Sequence, residues 1–210
     1  MGILERIFGK PKEEILPESN KNISHKAPEI TCDFNCLPDM AAILTNNTEK
    51  AVGDMALLSR DYNAFFSAHS EWFKKMDYSI HDFRNNYNET MLLVFAYWLC
   101  GYGAVDEEAS PAFGAYIDWK EETKEIISWL EKVTDNLGYS IDFDEIVFNG
   151  DEFTDKALNT INSHLNAKGY TLLYLNTDGD CYHLFVIKNE DYDRLTWLAI
   201  DANFSFTREF

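Results

Sequence analysis

The sequence predicts an α+β domain on three observations: helical periodicity between residues 38 and 102, a strand pair around Asp178–Gly179, and amphipathic helices on either side of that pair. Composition permits it. With 210 residues, 46% of them hydrophobic and 15% aromatic, the chain can build one sizeable core and bury roughly 70% of its unfolded surface. Residues 1–30 stand apart as a short amphipathic segment and a polar linker, and residues 31–210 read as a single α+β domain with a helical part over 38–102 and an α+β part over 115–210.

In the first ten residues Ile3, Leu4, Ile7 and Phe8 are interrupted by Glu5 and Arg6, which is too short an apolar run for a secretory signal. Arg6 also stands where N-myristoylation requires Ser or Thr. The segment reads as a tether, and Pro11, Pro17 and Pro28 mark the linker behind it.

Pro38 and Asp39 open the first helical segment, whose Met40, Ile43 and Leu44 point inward until Asn46, Asn47 and Thr48 end it. A second carries Ala51, Met55, Leu58, Tyr62, Phe65 and Phe66 and continues toward Trp72, Phe73 and Met76. The third, Glu89 to Cys100, is apolar all round yet shorter than the about 20 residues that span a bilayer, so it reads as a helix covered on every side, with Gly101 and Gly103 at its C-cap. No transmembrane segment is expected. After Pro111 and Gly114 comes a helix over 118–137, with Asp118 and Glu121 at capping-box spacing. Trp119, Thr123, Ile126, Ile127, Leu130, Val133 and Leu137 form its inner stripe, and Glu121, Glu122, Glu125, Glu131 and Asp135 its acidic back.

Residues 138–148 read as a strand or irregular segment, followed by a helix from Thr154 as N-cap to Lys168 with Gly169 at C′. The sharpest local signal is YTLLYLNTDGDCYHLFVI, because Asp-Gly favours a two-residue type I′ hairpin turn. That turn would set Leu175 opposite Tyr182, Tyr174 opposite His183 and Leu173 opposite Leu184, with left-handed backbone at both Asp178 and Gly179. Thr171, Leu173, Leu175, Tyr182, Leu184 and Val186 would then share the core face, and Tyr170, Leu172, Tyr174, Asn176, Cys181, His183, Phe185 and Ile187 the other. Asn189 would cap a last helix with Leu195, Leu198 and Ala199 inward, before the aromatic tail Phe204, Phe206 and Phe210.

Charge is the best clue to a partner. Against 18 basic residues stand 36 acidic ones, a net of −18. Residues 1–28 hold five basic and four acidic residues, so residues 29–210 carry 13 against 32, or −19. A field of that sign repels a phosphate backbone and steers basic macromolecules inward, so no nucleic-acid partner is expected. Cys32, Cys36, Cys100 and Cys181 match no zinc or redox spacing, and the five histidines form no metal motif, so no cofactor and no metal are expected and the thiols read as free.

The segment from Asp118 to about Ala199 resembles a bacterial domain family of unknown function that pairs a DWKEE-type start (Asp118, Trp119, Lys120, Glu121, Glu122) with a block like LLYLNTDGDCYHLFVIKNED, here Leu172–Leu175, Asn176, Asp178, Asp180, Tyr182, Leu184, Val186, Glu190 and Asp191. The resemblance implies a cytoplasmic bacterial protein. Its pattern favours Ser at the position of Cys181 and a small or aliphatic residue near His183, which speaks against catalytic roles for both. By analogy of class, proteins of this size and acidity resemble immunity partners of secreted toxins.

Two functions follow as expectations. The first is an acidic cytoplasmic protein that binds a basic protein, an immunity protein or inhibitor against a basic toxin, through an interface at Glu121, Glu122, Glu125, Glu131, Asp135, Tyr174, Asn176, Asp178 and Asp180. The alternative is a metal-dependent hydrolase with Asp178, Asp180 and His183 at the 176–183 hairpin tip. Against it, Asp-Gly is what a tight turn needs, and the run from Asn176 departs from the calcium-loop order.

Overall fold

A computed structural model of the protein describes residues 32–102, 112–148 and 154–210; the N-terminal segment and linker, Gly103 and Pro111 lie outside the described residues. The helical part begins with a 3₁₀ turn at Phe34–Cys36 and α1 (Leu37–Leu44), which carries its proline in the first turn, where no backbone donor is lost. Asn46 and Asn47 end α1 in left-handed conformation at φ 48 and 61. The long second segment read from the sequence is in fact broken into α2 (Glu49–Arg60), α3 (Tyr62–Ala68) and α4 (Ser70–Lys75). Asp61 makes the first break by accepting the Ala64 N–H at 3.0 Å, the local bond that starts a new helix rather than continuing an old one.

A further helix, α5 (Ile80–Asn85), is closed by the Asp82 carboxylate, which accepts the Ser79 N–H at 2.6 Å and its hydroxyl at 2.9 Å. Then comes α6 (Tyr87–Gly101), buried on most of its circumference, with Met91, Val94, Phe95 and Leu99 fully inaccessible. Its C-cap is Tyr102 in left-handed conformation at φ 45, and Gly101, one of the two glycines expected at this end, is still helical. Packing holds it there: the Tyr102 ring meets Phe113 edge-on at 5.0 Å. Trp98 at the heart of this layer touches Phe65, Trp72 and His69 at 5.0, 5.2 and 4.3 Å between ring centroids.

The largest departure from the sequence reading lies at 114–122. In place of a helix from 118, the chain forms β1 (Gly114–Asp118), turns, and enters α7 (Thr123–Asn136) with Glu122 as N-cap. Asp118 does not cap it. Its carboxylate accepts the Lys120 N–H at 2.8 Å, folding the turn that leaves Trp119 half-exposed, at 52%, rather than in the core. The stripe Ile126, Leu130 and Val133 is buried as expected. Residues 139–148 are irregular, with Tyr139 and Phe143 buried.

From Thr154, its first residue rather than its cap, α8 (Thr154–Ala167) buries Ala157, Leu158, Ile161 and Leu165 and ends at Gly169 with φ 90. The hairpin β2 (Tyr170–Leu175) and β3 (Cys181–Lys188) follows, then a 3₁₀ turn at Asn189–Asp191, α9 (Tyr192–Ala202), whose N-cap is Asp191 rather than Asn189, and β4 (Phe206–Thr207) from the aromatic tail. The four strands form an antiparallel sheet in the order β1-β3-β2-β4. The fold is therefore α+β.

The hairpin register differs by one residue from that expected. Leu175 pairs with His183, Tyr174 with Leu184 and Leu173 with Phe185, and the loop spans 176–180. Asn176 contributes: its side-chain oxygen accepts the Asp178 N–H at 2.9 Å, and Asp178 is left-handed at φ 55 as the two-residue turn requires, while Gly179, expected to be left-handed as well, is not. Because side chains alternate along a strand, one step of register reassigns which β3 residues share a face with which β2 residues. Thr171, Leu173, Leu175, His183, Phe185 and Ile187 now lie together, and Leu172, Tyr174, Tyr182, Leu184 and Val186 on the opposite side. Both faces are covered: α6 lies over the first, where Tyr97 meets His183 at 4.6 Å, and on the second Tyr139, just beyond α7, packs on Tyr170 at 4.6 Å. Gly114, paired with Phe185, permits a close approach, since a Cβ there would stand 2.7 Å from the Leu184 carbonyl oxygen and 2.6 Å from the Phe185 ring.

The turn chemistry gives a direct check. A Cβ at Gly179 would meet Cys181 Sγ at 3.5 Å, an ordinary contact, so Gly179→Ala is expected to change stability by no more than about 0.5 kcal/mol. Asp178→Val, which forces a β-branched residue into left-handed backbone, should cost about 1–2 kcal/mol. Urea denaturation of the pair ranks them, and the reverse order would contradict this turn.

Candidate functional site

The one-step register brings two tyrosines to one side of the sheet. Tyr174 of β2 and Tyr182 of β3 meet edge to face, with centroids 5.2 Å apart and planes at 86°, and Phe210 closes against both at 5.6 and 6.2 Å. Beside them opens a cleft of about 430 Å³ lined by Trp119, Tyr174, Asn176, Asp180, Cys181 and Tyr182, with Gly179 at its rim. Trp119 reaches it because the turn after β1 carries the indole outward next to the point where Asp118 of β1 pairs with Cys181 of β3. The Lys120 ammonium lies over the Trp119 ring, 4.3 Å from its centroid.

The electrostatics of the cleft are one-sided. Burial, with Tyr174 and the Asp155 carboxylate behind it, raises the Tyr182 phenol, and burial raises the Cys181 thiol while Asp180 and Asp118 push it further up. Hydrogen bonding with Tyr116 and Thr177 works the other way on Cys181 without reversing the shift. At neutral pH the thiol is protonated, which fits a packing role rather than a nucleophile. All four cysteines are free.

The expected interface residues fall into two groups. Glu122, Glu125, Glu131 and Asp135 are exposed on or beside α7, with Glu121 half-buried where its carbonyl accepts the Thr154 hydroxyl at 3.4 Å. Glu121 and Glu122 border a second groove of about 770 Å³, together with Lys120, Lys124, Phe143 and Phe148. Tyr174, Asn176 and Asp180 belong to the aromatic cleft, and Asp178 is exposed on the same loop.

The alternative catalytic trio is not assembled in one place. Asp178 and Asp180 are exposed in the loop, while His183 is fully buried between Tyr97 and Tyr116, its Nδ1 3.5 Å from Thr177 Oγ1 and its Nε2 without a partner. Among the described residues no group of three or more His, Cys, Asp or Glu is placed to hold a metal ion. None of the described helices is long and apolar enough to cross a membrane.

Sequence reasoning overlooked Trp119 and Tyr182 as site residues, assigning both to the core. The signal that could have found Trp119 is the run G-A-Y-I-D before it, an alternating strand ending in an Asx-type turn, which competes with the helix start.

Residues 36–210 match the family model of a domain of unknown function, DUF6630, and the chain belongs to that family. The match extends well beyond the Asp118–Ala199 segment that carries the resemblance in the sequence, taking in the helical part as well. No curated protein and no solved structure matches the chain.

Proposed function

We propose that this protein is a binding module for a basic protein, acting as a cytoplasmic bacterial immunity protein or inhibitor that neutralises a basic toxin. The observation that carries the reading is the −19 borne by residues 29–210. The exposed carboxylates of Glu122, Glu125, Glu131 and Asp135 support it, as does the open aromatic cleft lined by Asp180. Acidic surface accelerates encounter with a basic partner, and aromatic side chains at the centre of an interface then hold the complex.

Co-purification from the native cell, followed by association kinetics at increasing salt, tests it. An electrostatically steered on-rate is enhanced by about 10–1,000-fold at low ionic strength and loses that enhancement as salt rises. Recovery of a basic partner whose on-rate falls in this way is the expected result. A partner that is not basic, or an on-rate indifferent to salt, would refute the electrostatic reading.

A further inference from the structure

Three aromatic rings and a carboxylate converge on the cleft beside the hairpin loop, and together they have the composition of a cation receptor. Tyr174 and Tyr182 stand perpendicular at 5.2 Å and form a corner; Trp119 faces the same space, and Asp180 lines it. The electron-rich faces of such rings attract ammonium and guanidinium groups. The chain already demonstrates that chemistry on one of them, since the Lys120 ammonium rests 4.3 Å from the Trp119 ring centroid. The surroundings add to the pull: Asp118 and Asp155 stand close enough to act on Cys181 and Tyr182.

We propose that the cleft formed by Trp119, Tyr174, Asn176, Asp180 and Tyr182 is the docking pocket for an arginine side chain of the basic protein partner. Arginine fits it better than lysine because a planar guanidinium stacks flat on an indole or phenol while its edge donates paired hydrogen bonds to a carboxylate. Trp119 supplies the stacking face, Asp180 the carboxylate, and the Asn176 side chain a further acceptor or donor at the rim. At about 430 Å³ the space accommodates one such side chain with part of its backbone. The assignment rests on the reading of the protein as a binder of basic proteins and specifies where on its surface the partner is anchored. It also gives Lys120 a role: its ammonium occupies the indole face until the incoming guanidinium displaces it.

The test uses the full-length protein, labelled with ¹⁵N, titrated with N-acetyl-arginine methylamide and followed at the Trp119 indole N–H and the Tyr182 amide. The citrulline counterpart, equal in shape and uncharged, and choline, a free quaternary ammonium, form the comparison arms. Saturable shifts confined to the cleft, with the indole of Trp197, which does not line it, unmoved, are the expected result. Citrulline should bind at least about fivefold more weakly, and Trp119→Ala, an exposed position whose loss leaves the core intact, should weaken arginine binding by about five- to tenfold. Absence of saturable shifts at Trp119 and Tyr182, or citrulline matching arginine, overturns the proposal. Choline binding as well as or better than arginine overturns it too, in favour of a small-molecule ammonium site. A salt-sensitive basic partner that binds Trp119→Ala and wild type equally well would remove the pocket assignment alone and leave the wider reading standing.

Discussion

Phe185→Ala is expected to destabilise the domain by about 3–5 kcal/mol, the cost of deleting a fully buried aromatic ring whose surroundings relax only in part. Phe185 is 0% exposed at the centre of β3, pairs with Leu173 on one side and Gly114 on the other, and meets Phe206 at 6.2 Å. The bare glycine at 114 makes the effect larger. No side chain on that neighbour can swing into the vacated space, so the cavity persists. Leu184→Ala, on the opposite face and also fully buried, should cost about 2–5 kcal/mol by the same mechanism. Urea denaturation at neutral pH measures both, with an unchanged slope showing that the same surface unfolds. A loss below about 1 kcal/mol for Phe185→Ala would mean that the sheet's inner face is loosely packed.

Acidification should be the second large effect. His183 is buried without a charged neighbour to favour its protonated form, and desolvation lowers its pKa to about 4. Unfolded histidine titrates near 6.5. Between those values the unfolded chain binds a proton that the folded one refuses, so stability falls as pH drops from about 6.5 to about 4, by about 3 kcal/mol in total from this residue. Above pH 6.5 the residue contributes no pH dependence. His69, also lowered chiefly by burial, adds a change of the same sign. The groups facing His183 are the rings of Tyr97 and Tyr116 and the Thr177 hydroxyl, none of which carries charge in this range. His183→Phe keeps an aromatic ring in the slot and removes the proton. Its stability, measured by denaturant at pH 7, 6, 5 and 4, should decline less steeply than that of wild type, and parallel curves for the two proteins would show that His183 is solvated after all.

What the sequence disclosed and what it hid divide along physical lines. The stripe Ile126, Leu130 and Val133, the helix through Leu158, Ile161 and Leu165, and the two strands of the hairpin were legible because each repeats its pattern over several turns or alternations. Where a short local motif competes with another, the reading went astray. Asp118 and Glu121 have the spacing of a capping box, yet the carboxylate folds a turn after a strand only five residues long. Asp178–Gly179 signals a two-residue turn, but Asn176 two positions earlier offers the Asp178 N–H an acceptor, and the loop lengthens to 176–180 with Asp178 left-handed and Gly179 not. His69 and Asp61 break a run of apolar residues that periodicity alone would continue. The acidic back of α7 was readable from charge, whereas the aromatic cleft was not, because it depends on a register and a turn that single-sequence patterns resolve least well.

The loop at 176–180 carries an arithmetic of its own. Alternation along a strand makes the parity of the connection, and not its composition, the quantity that assigns the residues of β3 to their sides. If the strands kept their pairing positions relative to the turn, deleting one residue would exchange the positions of all eight side chains from Cys181 to Lys188, sending His183 and Phe185 toward the side now held by Tyr182 and Leu184; the alternative is a loop shortened by one that leaves the register in place. Deleting or inserting two would restore the assignment and alter only the reach of the loop. Insertions and deletions here are therefore not a graded series: changes of even length preserve the parity of the connection, and those of odd length set the turn against the buried register of Leu173, Leu175, His183 and Phe185.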